Sequence, residues 1–209
     1  MRATAVKNND DTRKSRLLRL AGAARLMLRH SFRGLVAACA LPAALLLASA
    51  FIAKISLDSP VLKPGKPIPK RYAAGKDISP PLVWTGLPQG TQELVLIFED
   101  AETSRVYWLL YRLSPKLLGL SEGVPHDEVV SDPPKIAGII QGITDFRSSG
   151  PGYHGPDPPS GPARHYRFTI YALDARLGLQ PGLDKTSLMI LIQDRIIGKG
   201  ELVVTCRKE

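Results

Sequence analysis

The chain has 209 residues, 44% of them hydrophobic, and a formal net charge of +9. This length suits one domain of ordinary size with an accessory segment. The charge is concentrated at the start, because residues 1–33 hold nine basic and two acidic side chains, whereas residues 51–209 hold 19 and 17. The body is therefore almost neutral and lacks the basic surface expected of a nucleic-acid-binding protein. Two cysteines, Cys39 and Cys206, exclude a disulfide scaffold and a cysteine-based zinc site.

The first fifty residues have the layout of an export signal or a membrane anchor. An uncharged run, residues 34–53, follows the basic segment and is long enough to span a bilayer. Its high alanine content, the central Pro42 and the small-residue triplet at 48–50 favour a signal peptide cleaved near Ala50. The alternative is a retained anchor formed by residues 34–53, with the basic segment on the inner side.

The start of the chain also leaves two initiation sites open. A signal of conventional length would begin at Met27 rather than at Met1. With either start, the predicted organisation is a basic and apolar segment at 1–50 followed by a domain at 51–209. We expect that domain to be exported, as a periplasmic or secreted protein.

The body is predicted to be mainly β. Residues 93–99 form an apolar run of β-formers, as in a strand buried on both faces. One helix is expected over residues 186–197, with Asp184 as its N-cap and Gly198 as its end. Many short strands separated by Pro/Gly turns indicate a β sandwich with a minor helix. The predicted strands are 51–57, 77–84, 93–99, 106–113, 139–143, 166–173 and 201–206.

The common catalytic motifs are absent from the sequence. It contains no HExxH, P-loop, GxGxxG or GxSxG pattern, and its histidines lack the spacing of metal ligands. We therefore predict no enzyme activity, no metal and no cofactor. A hydrolase that pairs Asp100 with His165 is the enzymatic alternative, although alternation along a strand predicts that His165 and its neighbour Arg164 face opposite sides.

A stiff loop and a strand end together predict a pocket. Residues 150–165 are rich in Pro and Gly and lead directly into the aromatic strand that begins at Tyr166. Asp100 ends the apolar strand 93–99, where a carboxylate can project into a cleft. We expect Asp100, Tyr107, Trp108 and Tyr166 to line a pocket below the loop.

Six segments, in order along the chain, carry a family resemblance: DISPPLVW at 77–84, LVLIFED at 94–100, YW at 107–108, QGITDF at 141–146, GYHGPDPPSG at 152–161 and HYRFTIYALD at 165–174. Together they resemble the phosphatidylethanolamine-binding protein family, in particular its bacterial Raf-kinase-inhibitor-like branch. The resemblance covers nearly the whole body. It implies a β sandwich of two sheets with a small C-terminal helix, and a pocket for a phosphate-like group.

The resemblance also implies which residues line this pocket. Asp100 and Glu102 match the two carboxylates of the family's Asp-Pro-Asp-Ala-Pro motif, and Tyr166 matches its tyrosine. The predicted ligand-binding residues are Asp100, Glu102, Tyr107, Gly155, Pro156, Pro158, Pro159, Arg164 and Tyr166. No catalytic residue is predicted among them.

Several residues depart from the family pattern. Tyr107 stands where a histidine precedes the tryptophan, Arg164 replaces the histidine of a His-Arg-Tyr triplet, and Asp157 precedes the diproline. The carboxylate motif has lost both prolines, and Asp194-Arg195 replaces a Gly-His pair near the C-terminus. Two imidazoles are thus missing from the anion site, while a guanidinium at Arg164 would bind phosphate well.

Two functional hypotheses follow. The first is an exported, non-enzymatic binding protein with a small pocket for a polar or anionic ligand such as phosphate or phosphoethanolamine. The second is a protein-interaction or inhibitor module whose pocket is vestigial. A homodimer is compatible with both, the protein partner is unspecified, and membrane association is expected only through an uncleaved N-terminal segment.

Overall fold

A computed structural model describes residues 52–73 and 75–208, all within one compact unit that spans residues 50–209. The predicted signal or anchor at 1–50 lies outside the described residues. Within the described ranges, no helix is long and apolar enough to cross a bilayer. The elements there are β1 Ala53–Lys54, β2 Ser56–Asp58, β3 Leu82–Thr85, β4 Glu93–Asp100, β5 Val106–Leu113, β6 Gly119–Leu120, β7 Ile140–Gln141, β8 Arg164–Leu173, α1 Lys185–Ile192 and β9 Ile196–Cys206.

The strands form two sheets, which confirms the predicted β sandwich. The larger sheet has the order β1-β9-β8-β4-β5-β7, and the smaller sheet has the order β2-β3-β6. Short 3-10 turns at Lys70–Tyr72, Pro134–Ile136, Arg147–Ser149 and Gln193–Arg195 complete the secondary structure of the described residues.

Strand β4 lies inside the larger sheet, between β8 and β5, and other elements cover both of its faces. All eight of its residues are buried, as the continuous apolar run predicted. On one face Phe98 belongs to the core shared with the smaller sheet, which includes Trp84. On the other face Ile97 belongs to a second core with Leu188 and Ile192 of α1. The inner face, between the two sheets, leads at its end to Asp100.

Several predicted boundaries were wrong: β3 and β7 are shorter than predicted, and β8 and β9 begin earlier. Two further differences have a clear physical reason. The strand predicted over 51–57 is split into β1 and β2, which belong to different sheets, while Ile55 between them still donates its N–H to the Lys199 carbonyl at 2.8 Å. The predicted helix begins as expected, since the Asp184 carboxylate accepts the Ser187 N–H at 2.8 Å. However, it ends at Ile192 rather than 197, because Ile196 pairs with Leu173 in the sheet.

Candidate functional site

Asp100 is a buried carboxylate at the end of β4. It lies opposite Tyr166 in the antiparallel pair β4–β8, and 2% of the residue is exposed. Its Oδ1 accepts the backbone N–H groups of Glu102 and Thr103, each at 2.9 Å. Asp100 therefore orders the turn into β5 with one oxygen and leaves Oδ2 facing the inner side of the sheet.

Arg164 supplies the positive charge beside that oxygen. Its Nε lies 3.3 Å from Asp100 Oδ2, and a quarter of its side chain is exposed (26%). Arg164 begins β8, so Arg164 and Tyr166 project from the same face of the strand. The structure thus brings together three predicted ligand-binding residues, Asp100, Arg164 and Tyr166.

Glu102 is placed elsewhere. Its exposed carboxylate accepts the backbone N–H of His165 at 3.1 Å and contacts His165 Nδ1 at 2.9 Å. These hydrogen bonds lower the pKa of Glu102, although its partial burial acts in the opposite direction. Glu102 and His165 form an external pair, on the side of the strand away from Arg164. His165 is consequently not aligned with Asp100 as the hydrolase alternative requires.

Two tyrosines close the inner end of the site. The Tyr107 ring, on β5, meets the Tyr166 ring edge-on at 5.4 Å and packs on Phe146 at 4.8 Å. Both phenols are almost fully buried, and this burial raises the pKa of each. Among the described residues, no group meets the Tyr166 hydroxyl with hydrogen-bond geometry, although the nearby Tyr107 phenol interacts with it and adds to the rise of its pKa. A buried donor without an acceptor is uncommon in folded proteins and marks a place where a ligand or water oxygen fits.

The Pro/Gly loop passes over this end of the sheet. The Gly155 N–H donates to Asp77 Oδ1 at 3.0 Å, and the Pro156 carbonyl lies 3.7 Å from Cys206 Sγ. Cys206 pairs with Arg164 across β8 and β9, so this part of the loop is held beside the Arg164 strand end. Of the predicted rim residues, Gly155, Pro156 and Pro158 are buried and Pro159 is exposed.

His154, which was not among the predicted site residues, is a buried histidine that holds the loop in place. His154 is 3% exposed, its Nε2 lies 3.2 Å from the Gly150 carbonyl, and its ring stacks on Phe146 at 4.9 Å. Its Nδ1 lies 3.9 Å from Asp77 Oδ2. Burial lowers the pKa of His154. Its position inside the GYHGPDPPSG segment was the available signal, but its partner Asp77 is distant in sequence.

The site places a guanidinium beside a phenol, two groups that can donate hydrogen bonds to an anion. Arg164 offers several N–H donors, Tyr166 offers one hydroxyl, and Asp100 balances the positive charge. Within the part of the chain that the structure describes, no three His, Cys, Asp or Glu side chains are grouped so as to hold a metal ion.

Known proteins are similar to this chain in sequence and in fold. The sequence profile of a family described as "Phosphatidylethanolamine-binding protein" matches residues 58–207. A UPF0098 protein of Methanothermobacter thermautotrophicus is 37% identical over 145 residues, which cover 68% of this chain and 91% of that protein. A UPF0098 protein of Chlamydia trachomatis is 32% identical over 165 residues, which cover 74% of this chain and 100% of the relative.

Two solved structures have the same fold. The putative phosphatidylethanolamine-binding protein homologue CT736 of Chlamydia trachomatis superposes with a TM-score of 0.63 at 32% identity, over 75% of this chain and 99% of that one. Escherichia coli YbcL, described as a new member of the mammalian PEBP family, gives the same TM-score at 21% identity, over 75% of this chain and 100% of its own. The profile match and these relatives show that the chain belongs to the phosphatidylethanolamine-binding protein family.

Proposed function

We propose that the protein is an exported, non-enzymatic member of this family that binds a small anionic ligand beside Arg164 and Tyr166. The ligand would carry a phosphate-like group, as phosphate and phosphoethanolamine do. The observation that carries this proposal is the buried Tyr166 hydroxyl without a partner. An anionic oxygen placed there would accept its hydrogen bond and remove the cost of a buried, unsatisfied donor, about 1–3 kcal/mol.

The pairing of Arg164 with Asp100 implies that an anionic ligand would compete with Asp100 for the guanidinium. Arg164 Nε approaches Asp100 Oδ2 at 3.3 Å, and the guanidinium forms no hydrogen bond with any other acceptor among the described residues. Its remaining N–H groups are therefore free to bind an anion side-on, in the fork geometry that suits phosphate. The ligand would share Arg164 with Asp100, which predicts modest affinity.

Export is the second part of the proposal. It is supported by the order of basic residues, uncharged run and Ala-Ser-Ala triplet in residues 1–50. In the alternative, residues 34–53 stay in the membrane as an anchor. In both cases the described domain would lie on the outer side of the membrane, opposite the basic segment.

A vestigial pocket is the second candidate function, and a specific observation favours it. Tyr107 is only 3% exposed and fills the inner end of the site, while Asp100 already neutralises Arg164. A protein-interaction or inhibitor module would keep this packing without binding any small ligand.

Calorimetric titration of the full chain separates the two candidates. Phosphate, phosphoethanolamine and acetate are each added to the wild type and to Tyr166→Phe and Arg164→Ala. Tyr171→Phe is the matched control, since Tyr171 lies on the same strand but packs against the opposite core. The proposal expects heat from phosphate and phosphoethanolamine, weakened in both site variants and unchanged in the control. Absence of heat with all three compounds favours the vestigial pocket.

A further inference from the structure

A second surface is formed where three segments meet, and it shares Pro156 and Pro158 with the predicted rim of the Asp100–Arg164 site but none of that site's charged residues. We call it the basic groove. The apolar part of its lining, which we call its floor, includes Pro67, Ile68, Pro156 and Pro158, and its open volume is about 940 Å³. That volume lies at the upper end of the range for small-molecule sites.

The groove walls are held together by backbone hydrogen bonds. The Ile68 N–H donates to the Thr205 carbonyl at 2.8 Å, and the Thr205 N–H donates to the Lys66 carbonyl at 3.0 Å. Pro156 on the loop contacts Cys206 at the end of β9. The groove is therefore preformed, and its prolines reduce the ordering cost of binding.

The groove lining has a local excess of three basic over acidic side chains. Four basic side chains line it, Lys70, Lys76, Arg207 and Lys208, against one acidic side chain, Asp157. Residues 51–209 as a whole hold only two more basic than acidic residues. The sequence alone does not reveal this cluster, because Lys70 and Lys76 lie near the start of the body whereas Arg207 and Lys208 lie at its end.

Three of these cations, Lys76, Arg207 and Lys208, form no ion pair with an acidic side chain among the described residues. Since Asp157 is the one acidic side chain in the described lining to offset their mutual repulsion, a negatively charged ligand is attracted by all three.

The distribution of these charges narrows the class of ligand. The basic residues come from two segments of the chain, 70–76 and 207–208, and such an arrangement suits a ligand with several charges better than one phosphate. Among the described residues, no Phe, Tyr or Trp lines the groove, so bases of a nucleic acid would lack a stacking surface. The basic N-terminal segment of this chain carries the wrong sign of charge to be the occupant.

We infer that the basic groove binds an extended acidic segment of another protein, with carboxylates along its edges and aliphatic carbons on the proline floor. The peptide lies across the end of β9. The peptide is a partner in addition to the small ligand proposed for the Arg164 site, and its binding does not depend on that ligand.

Photo-crosslinking and fluorescence anisotropy on the full chain test this inference. The probe is a labelled peptide of alternating Glu and Leu with one photoreactive residue. The test variant is Lys76→Glu/Lys208→Glu. The matched control is Lys116→Glu/Lys135→Glu, since both of these lysines are exposed and lie outside the groove.

The groove variant is expected to lose at least about tenfold in peptide affinity, because two attractions become repulsions. The control is expected to stay within about twofold of the wild type, since it changes net charge equally without altering the groove. Crosslinks are expected near residues 67–76 and 205–208. The heat of phosphate binding should be the same in the groove variant and the wild type. A failure of the peptide proposal can therefore be told apart from a failure of the proposed Arg164 site.

Several results would overturn the inference. They are crosslinks confined to residues 1–33, equal loss of affinity in the control and groove variants, or no binding at all. Tighter binding of an oligothymidine or of phosphatidylserine vesicles, lost in the groove variant, would instead assign the groove to a nucleic acid or to a membrane surface.

Discussion

Arg164 Nε lies 3.3 Å from Asp100 Oδ2, and this contact joins the first residue of β8 to the last residue of β4. The carboxylate is buried and the guanidinium is partly exposed. The pair therefore neutralises a charge inside the protein while leaving a donor group open to solvent.

Removing the guanidinium should destabilise the fold. We expect Arg164→Ala to lower the free energy of unfolding by about 1–3 kcal/mol, because Asp100 is left buried without its cation. Denaturant titration measures this change. Arg195→Ala is the control, since its 4.0 Å contact with Asp174 is exposed and should contribute less than about 1 kcal/mol.

A second substitution checks the cause of that loss. Asp100→Asn in the Arg164→Ala background removes the buried charge but keeps an oxygen for the Glu102 and Thr103 N–H groups. The double variant should regain part of the lost stability. Equal stability of the single and double variants would show that burial of the charge is not the reason.

Tyr107 is expected to limit anion binding. Tyr107→His replaces a buried phenol by an imidazole, and we predict about tenfold tighter phosphate binding when that imidazole is protonated. The gain should therefore be larger at pH about 5.5 than at pH about 7.5, on either side of the ordinary histidine pKa. Calorimetry measures both conditions. Tyr107→Phe is the matched control, and equal affinity of the two variants at the lower pH would contradict the prediction.

His154 should make stability depend on pH. Burial lowers the pKa of His154 in the folded state, so the unfolded chain binds this proton more tightly. The contribution is complete above the unfolded pKa of about 6.5 and is lost as pH falls from there through the folded pKa. Denaturation midpoints across this range measure the slope, and His154→Gln should reduce it. An unchanged slope would assign the acid sensitivity to other groups.

The N-terminal proposal predicts a defined mature chain. Sequencing of the protein recovered from the exported fraction should give Phe51 as the first residue, two residues before β1 begins at Ala53. Ala48→Lys/Ala50→Lys should block processing, because cleavage sites require small residues at these two positions. A membrane-bound protein that begins at Met1 or Met27 would instead support the retained anchor.

Local sequence was sufficient for some elements and not for others. Strand β5 was predicted with its observed bounds, because VYWLLYRL is a run of β-formers. The end of α1 was missed because Ile196 continues the helical spacing of Leu188 and Ile192, whereas in the structure Ile196 pairs with Leu173 in the sheet. Propensity was overridden there by a tertiary contact.

Some features of the candidate site were also predictable from local sequence, and others were not. Alternation along β8 predicted that Arg164 and His165 face opposite sides, as their separate contacts with Asp100 and Glu102 show. The support of the loop by Asp77 and His154 was not predicted, because it depends on residues far apart in the chain. Contacts of that kind have no local sequence signal.

A crystal structure of the protein grown with phosphate tests the central claim most directly. The account predicts phosphate between the Tyr166 hydroxyl and the Arg164 guanidinium, each within hydrogen-bond distance of a phosphate oxygen. A structure without density at this position, in which the Tyr166 hydroxyl stays unpartnered and Arg164 keeps its 3.3 Å contact with Asp100 alone, would contradict it.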